Sequence, residues 1–377
     1  MIFNRASFLL LILFSTILFT AASINKGFFS SKLTWDEVDY VKASQKGIVA
    51  NAMDAGDPSF IQFTKLGIAK LQKDSAAVSE ISLNITDEEE QLFMLRHFHP
   101  PFPIYYWSFF LNENKTVSDL SLRLSSLLFF VIFLICFLYL GSKQSPQKLR
   151  MSRLQALLAF SFFTSPIFIY SNSSLNFHIF HALACLFFVF NLQNYLSLPN
   201  KKNEWFLSLS IAGLILTLDT SVFVILIGVT ITLFSNGLRY LLSLSMLRLS
   251  IKSFLIFIFF WPGSLITGGP IKSWFMHAYR IFAQGNEENS SVSILNNLQM
   301  LFYDNIILTI FLILTSLIII VYSQKYQSKS SFFNIALITG FAYGAFLTPF
   351  ALNFTYYIPA MTLIVFGLYL KLGKINA

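Results

Sequence analysis

Long apolar runs separated by short polar segments recur along this chain of 377 residues. A run of about 20 apolar residues is long enough to cross the hydrocarbon core of a bilayer as a helix. The pattern therefore predicts an all-α polytopic membrane protein with about ten transmembrane helices. The predicted spans are residues 6–23, 121–140, 153–170, 175–197, 205–218, 221–235, 253–268, 299–322, 332–350 and 355–371.

Two of these predictions leave alternatives open. The fifth and sixth spans are short and meet at Asp219, so that two thin helices and one broken hairpin both fit. The first span has the pattern of a secretory signal, because Arg5 precedes its apolar core and "TAAS" follows it. Because nine further spans follow, we favour an uncleaved first helix.

Composition and charge agree with a membrane protein. Hydrophobic residues make up 55% of the chain and charged residues only 12%, well below the charge of a soluble domain. The net charge of +8 does not indicate nucleic-acid binding, because membrane proteins accumulate Lys and Arg in their cytoplasmic segments. If the N-terminus is cytoplasmic, the short outer loops 171–174, 219–220 and 351–354 contain no Lys or Arg. We therefore predict that both termini are cytoplasmic.

The predicted loop between the first two spans, residues 24–120, is too long for a simple connector. Its composition indicates structure. Residues 33–46 have a helical pattern, and Phe60, Phe63, Gly67 and Leu71 repeat at helical spacing, as in helices that lie flat on a bilayer. We assign residues 1–371 to one membrane domain that includes this loop, and residues 372–377 to a short cytoplasmic tail.

The loop begins with an acidic segment, "TWDEVDY", in a chain that has only 18 Asp and Glu. Thr34 and Glu37 have the spacing of a helix capping box, which accounts for Glu37 but merely tolerates Asp36. In a helix, Asp36 and Tyr40 share a face one turn apart. An acid held at the membrane boundary is also suited to act as a general base toward a hydroxyl group. On this segment alone, we favour the cap.

Two further segments change that balance. The loop ends in "RHFHPPFPIYYW", where three prolines within four positions predict a rigid, extended path rather than a helix. His97 and His99 precede the prolines; an interfacial aromatic belt explains the following Tyr and Trp residues but not the rigid His-Pro-Pro. Arg123 then lies about one turn inside the second span. It either snorkels to the interface, with Asp119 as a partner, or binds a lipid phosphate.

Taken in order, these three segments resemble the GT-C superfamily of membrane glycosyltransferases. The branch most similar contains the protein O-mannosyltransferases and the bacterial lipid A aminoarabinose transferases. "SLRLSS", which opens the second span, matches the family pattern Ser-x-Arg-Leu-x-Ser. Weaker likeness continues in "SPIFIYSNSS", residues 165–174, and in "FTYYIPA", residues 354–360, which resembles the Tyr-x-x-Pro opening of a late span.

The resemblance implies a transferase that moves a hexose or pentose from a polyprenyl-phosphate-linked donor to a glycan, lipid or protein acceptor. The reaction would take place on the extracytoplasmic face of a multi-pass protein of the bacterial inner membrane. Asp36 would be the general base, with Glu37 supporting it or orienting the sugar. Arg123 would contact the donor phosphate and His99 would line the donor pocket. Tyr40 and Tyr356 are further candidates for substrate binding.

The chain also departs from the family pattern. Members often have Arg and an acid after the Ser-Pro of the third span, where this chain has the uncharged "SNSSLN", and an Arg before the late Tyr, where Asn353 stands. Lys272, His277 and Arg280, in the outer loop after span seven, are candidates for the missing positive charge. A solvated or headgroup-facing position is an equal alternative for them. For Asp219 we favour a helix cap.

Other classes fit the sequence less well. A transporter or lipid-linked-glycan flippase is the main alternative, but we find no paired repeats of the kind many transporters show. A polymerase or ligase of surface glycans would more often have its large loop late in the chain.

Cys136 and Cys185 lie in apolar runs without disulfide or metal-site spacing. No motif indicates a metal site, although a divalent metal is compatible with the resemblance. The expected partners are membrane lipid, the lipid-linked sugar and its acceptor, and nucleic acid is not expected.

Overall fold

The computed structural model of the chain describes residues 2–3, 5–25, 35–53, 60–83, 100–110, 119–144, 151–272, 274, 295, 298–299, 301–323, 331–348 and 354–375. This described part is almost entirely helical.

The helices before and within the first loop are α1 Arg5–Asn25, α2 Trp35–Gln45, α3 Gly47–Met53, α4 Phe60–Leu71, α5 Ser75–Leu83 and α6 Phe102–Ser108. The helices that follow are α7 Asp119–Gln144, α8 Arg153–Phe163, α9 Pro166–Ser173, α10 Phe177–Ser197, α11 Lys201–Thr217, α12 Ser221–Asn236, α13 Leu238–Leu241, α14 Leu244–Phe260, α15 Ser264–Thr267, α16 Ile306–Ser323, α17 Ser331–Leu347 and α18 Ile358–Ile375. A 3-10 turn, Phe354–Tyr357, leads into α18, and the strands β1 Ile2–Phe3 and β2 Met151–Ser152 pair antiparallel.

The helices agree with a membrane protein. Among the described residues, three helical segments are long and apolar enough to cross a bilayer: Arg123–Lys143, Phe177–Ser197 and Phe354–Gly373. The pair α8 and α9, which bends by 50° at Ser165-Pro166, makes a fourth if it is one span. The break follows from Pro166, which disfavours helix at the residue before it, while the Ser165 side chain caps α9. Shorter apolar helical segments, of 10–17 residues, are Leu9–Asn25, Ser221–Asn236, Ile306–Ile318 and Ile335–Leu347.

Two predictions about these helices were wrong. The seventh span was placed at 253–268, whereas α14 is Leu244–Phe260. It begins after Ser243, which caps it by accepting from the backbone N–H of Met246, and it ends before Pro262. The proline-rich segment is not extended throughout, because α6 starts directly after Pro101. Proline is tolerated in the first helical turn, where backbone N–H groups have no helical partner anyway.

The long helices, with α8 and α9 taken as one bent unit, alternate in direction between two ends of the bundle. At one end, β1 pairs with β2, and the Gln155 side chain donates to the backbone carbonyl of Tyr369 in α18 at 2.9 Å. We call this the basic end, because Lys143, Arg153, Lys201, Lys202 and Arg248 lie near it.

At the opposite end, which we call the loop end, the helices of the first loop pack on the membrane helices. The Tyr105 hydroxyl in α6 donates to the carbonyl of Phe260 at 2.7 Å, and the N–H of Gly263 donates to the carbonyl of Ala52 at 2.9 Å. The loop helices α2 and α4 lie where the sequence pattern predicted helices.

The core between the two ends is aromatic. Phe130, Phe133, Phe163 and Phe168 are fully buried and meet edge to face with ring centroids 4.8–6.0 Å apart. Helices α17 and α18 instead approach closely through glycine. A Cβ atom at Gly340 would lie 3.0 Å from backbone atoms of α18, so that only glycine fits there without a shift.

Candidate functional site

A buried ion pair joins the start of the first loop to the start of the second predicted span. The Glu37 carboxylate of α2 accepts hydrogen bonds from the Arg123 guanidinium of α7, at 2.6 Å between Oε1 and Nη1 and 3.3 Å between Oε2 and Nη2. Both side chains are only 3% exposed. Arg123 therefore does not snorkel to a solvated surface but is enclosed by protein.

The turn between α9 and α10 completes this pair. Nη1 of Arg123 donates to the carbonyl of Ser173 at 2.9 Å, and Oε1 of Glu37 accepts from the N–H of Leu175 at 2.9 Å. The hydroxyls of Ser23 and Ser173 lie 3.1 Å apart. The pair and its neighbours therefore fasten four parts of the chain together, namely α1, α2, α7 and the residues 173–175.

Local sequence explains why residues 173–175 present backbone groups to the pair. Helix α9 ends at Ser173, and the side chain of Asn176 caps α10 by accepting from the N–H of His178 at 2.8 Å. A helix end followed directly by a helix start leaves a carbonyl and an N–H without helical partners. Arg123 and Glu37 satisfy one of each.

An aromatic cluster holds α2 through its other contacts. The Tyr40 ring stacks on Trp107 of α6, with centroids 5.7 Å apart, and meets Phe177 at 4.6 Å. The neighbouring Tyr106 hydroxyl donates to the carbonyl of Ser125 at 2.7 Å, and burial raises the pKa of this hydroxyl. Helix α2 is therefore fixed at Glu37 by charge and at Tyr40 by packing.

Several predicted site residues lie outside the described part of the chain. They are His97, His99, His277, Arg280 and the predicted cap Thr34. Asp36 is described only in its backbone, which belongs to the first turn of α2 beside Glu37. The roles predicted for these side chains stay predictions.

The remaining predicted residues lie elsewhere at the loop end. The Tyr356 ring meets the ring of His178 in the first turn of α10, with centroids 4.2 Å apart. Lys272 is fully buried, which excludes the solvated, headgroup-facing alternative for this residue. The structure thus brings Glu37, Arg123 and Tyr40 together, and it places Tyr356 against the same first turn of α10 that supplies Phe177.

Asp219 lies in the turn between α11 and α12. Its carboxylate accepts from the N–H of Thr220 at 2.9 Å, and its backbone carbonyl accepts from the indole N–H of Trp274 at 2.7 Å. We predicted that Asp219 caps the start of α12. The N-cap residue is instead Thr220, one position later. The Thr220 hydroxyl lies 2.7 Å from that of Tyr343 in α17. The turn before α12 is therefore tied to a distant helix through polar side chains.

Sequence reasoning missed a polar group inside the fourth span. His181 is fully buried; its Nδ1 lies 3.1 Å from the Thr217 hydroxyl, and His178 and Asp219 are its ionisable neighbours. The available signal was the segment "FHIFH", because ionisable residues within an apolar span are rare and mark polar interiors.

Helix α2 contains three acids, Asp36, Glu37 and Asp39, and the geometry separates the roles of the first two. Both oxygens of Glu37 accept hydrogen bonds from Arg123, and Oε1 accepts another from Leu175. A carboxylate whose lone pairs are occupied in this way is poorly placed to take a proton from a hydroxyl group. The neighbouring Asp36 is the acid of this segment that we retain as the candidate base.

The described residues contain no group of three or more His, Cys, Asp or Glu side chains arranged to hold a metal ion. No family model, curated protein or solved structure matches the chain.

Proposed function

We propose that the chain is a membrane glycosyltransferase that moves a sugar from a polyprenyl-phosphate-linked donor to an acceptor on the extracytoplasmic face. The observation that supports this proposal most is the buried pair of Glu37 and Arg123. It fixes the first turn of α2, and with it the backbone of Asp36, at the loop end of the membrane helices.

A general base is effective only if it is held in one position relative to the group it deprotonates. Helix α2 meets this requirement, because the ion pair fixes its first turn and the Tyr40 cluster fixes its second. In the proposed reaction, Asp36 takes the proton of the acceptor hydroxyl. The oxygen attacks the anomeric carbon of the sugar, and the bond from that carbon to the lipid phosphate breaks.

The pair itself has a positioning role in this proposal. Glu37 orients α2, and Arg123 connects it to α7 and to the turn at 173–175. The phosphate contact predicted for Arg123 requires a guanidinium edge beyond the one that faces Glu37. Lys272 and Tyr356, both at the loop end, are the further candidates for the donor phosphate, together with His99 and Arg280.

The proposal includes an orientation. The loop end faces the extracytoplasmic side, and the basic end and both termini face the cytoplasm of a bacterial inner membrane. The excess of Lys and Arg at the basic end supports this orientation. Both termini lie on the same side of the membrane only if the number of spans is even, as in the predicted ten. Three described helical segments, or four with the bent pair, are long and apolar enough to cross a bilayer, and the shorter apolar segments Leu9–Asn25, Ser221–Asn236, Ile306–Ile318 and Ile335–Leu347 are candidates for others.

Mass analysis of cell-surface glycans tests the function. Cells that lack the gene should lose one sugar modification from a surface glycan, lipid or protein. The wild-type gene should restore it, and a gene encoding Asp36→Asn should not. Unchanged glycans in the deletion strain would contradict a transferase and favour the transporter class.

A further inference from the structure

An apolar groove lies on the outside of the bundle, between α11 and α14. These helices run side by side in the same direction: Glu204 in the first turn of α11 pairs with Lys252 of α14, and Ala212 and Leu216 pack with Phe257 and Trp261 further along. Between them lies a groove with a volume of about 380 Å³. Its lining is entirely apolar and includes Trp205, Phe206 and Leu209 of α11 and Leu255 and Phe259 of α14.

Positive charge is concentrated at the end of this groove. Glu204 is buried and its charge is balanced by Lys252, which also lies over the Trp205 ring, 5.0 Å from the centroid. Arg248 lies 3.9 Å from the same carboxylate, but its side chain is 52% exposed. Lys201 and Lys202 are exposed in the first turn of α11. After Glu204 and Lys252 cancel, three positive charges remain.

Helical spacing places these charges on the same helix faces as the apolar lining and nearer to the basic end. On α11, residues 201 and 202 are followed at three or four positions by 205 and 206, and then by 209. On α14, residues 248 and 252 are followed by 255, 256 and 259 in the same way. Residues three and four apart lie on one helix face. Each helix therefore presents a stripe that is basic at the basic end and apolar further into the bundle.

The groove has the depth of one leaflet. From Lys252 to Phe260 the helix rises by about 12 Å at 1.5 Å per residue. Half of a hydrocarbon core of about 30 Å is about 15 Å. A chain that enters the groove beside the basic residues therefore ends near the middle of the bilayer, as an acyl chain does.

We propose that this groove binds an anionic glycerophospholipid. Its phosphate contacts Arg248, Lys201 and Lys202, and one acyl chain lies between Trp205 and Phe259. Trp205 suits the boundary between these regions, because indole rings favour the membrane–water interface. Under the orientation proposed above, the lipid belongs to the cytoplasmic leaflet. The site lies on the opposite end of the bundle from Asp36 and does not depend on the transferase reaction.

Charge selects this lipid class. Basic pockets between membrane helices attract anionic headgroups, and each Lys or Arg near the surface contributes about fivefold in affinity. A second apolar groove, of about 450 Å³ between α1 and α8, has only Arg153 in its lining as a charged residue. The lining of the groove between α11 and α14 holds no charged residue, but three unbalanced charges lie at its end, so we assign the anionic preference to this groove.

Native mass spectrometry of the purified full-length protein tests the assignment. Phosphatidylglycerol and phosphatidylcholine with the same acyl chains are added separately, and bound lipids are counted. We expect tighter binding of phosphatidylglycerol, and a loss of about a hundredfold in the triple variant K201Q/K202Q/R248Q. The matched control is Arg239→Gln, which removes an exposed charge from the same end of the bundle outside the groove. Arg239 makes none of the proposed phosphate contacts, so its replacement should change binding by less than about twofold.

A second variant tests the acyl chain. Leu209→Trp fills the groove and leaves all its charges in place, so phosphatidylglycerol binding should fall at least about fivefold. The triple variant should fold normally, because its three side chains are exposed and Lys is unfavourable at the N-terminus of a helix. Equal binding of the two lipids by the wild type, equal losses in the triple variant and in Arg239→Gln, or unchanged binding in Leu209→Trp would each overturn the assignment.

Discussion

Removing the charge of Glu37 should destabilise the protein strongly. In Glu37→Gln, the Arg123 guanidinium stays buried at 3% exposure without its counter-charge. Breaking a buried ion pair by changing one partner costs about 3–5 kcal/mol. Unfolding entropies of about 2 cal/mol/K per residue convert this loss, for a chain of 377 residues, to a fall in Tm of about 4–6 °C.

Thermal unfolding in detergent, followed by tryptophan fluorescence, measures this change. The matched control is Glu80→Gln, which makes the same substitution at an exposed position of the first loop and should shift Tm by less than about 1 °C. Arg123→Gln should be as harmful as Glu37→Gln, because it leaves the carboxylate buried and removes the bond to Ser173.

The double variant Glu37→Gln/Arg123→Gln separates the pair from its surroundings. Two neutral amides remain, and the amide oxygen at position 37 can still accept from the N–H of Leu175. We expect the double variant to be more stable than either single variant, with a coupling free energy of at least about 2 kcal/mol. A Glu37→Gln shift no larger than that of Glu80→Gln, or additive losses in the double variant, would refute the buried ion pair.

Three further predictions concern the frame around the site. Gly340→Ala should destabilise the protein by about 1–3 kcal/mol, because a Cβ atom there meets backbone atoms of α18. The control is Gly213→Ala, whose Cβ atom meets nothing within 4 Å and should not destabilise the protein. Equal Tm values for the two variants would contradict the close packing. Asn305→Ala should lower the free energy of unfolding by about 1–3 kcal/mol, since the Asn305 side-chain oxygen accepts from the buried N–H of Ile167 at 2.9 Å. An unchanged midpoint in a denaturant titration would contradict this bond. The pKa of Tyr106 is raised above its ordinary value of 10.0, so above about pH 10 the folded state keeps a proton that the unfolded state loses. The free energy of unfolding should therefore fall as the pH rises above about 10, and it should fall less steeply in Tyr106→Phe. An equally steep fall in the variant would contradict the raised pKa.

The apolar pattern was sufficient to predict most of the helices but not all their ends. Most predicted spans overlap with described helices because a run of apolar residues has few alternatives in a bilayer. The end of α14 was misplaced because the apolar run continues past Trp261-Pro262, where the proline stops the helix. The prolines before α6 were misread because their effect depends on position, and the first helical turn tolerates them.

The site was predicted only in part. The acidic segment and Arg123 stood out because charge is rare in this chain, yet nothing in the sequence indicated that Glu37 pairs with a residue 86 positions away. A helix capping box is local and can be recognised from spacing, whereas this contact depends on how α2 and α7 pack. The same limit applies to Lys272, whose burial follows from the folding of the loop end rather than from its neighbours in sequence.

Sugar transfer in purified membranes is the most direct test of the central claim that the first turn of α2 holds the catalytic base, Asp36. Membranes with wild-type protein, Asp36→Asn or Glu80→Gln are supplied with a polyprenyl-phosphate donor that carries a labelled sugar, and the label on the acceptor fraction is measured. We expect Asp36→Asn to lower the rate at least about a hundredfold while its Tm stays near that of the wild type, because loss of a general base typically costs about 10²–10⁴ in rate. Transfer by Asp36→Asn at the wild-type rate would contradict the account.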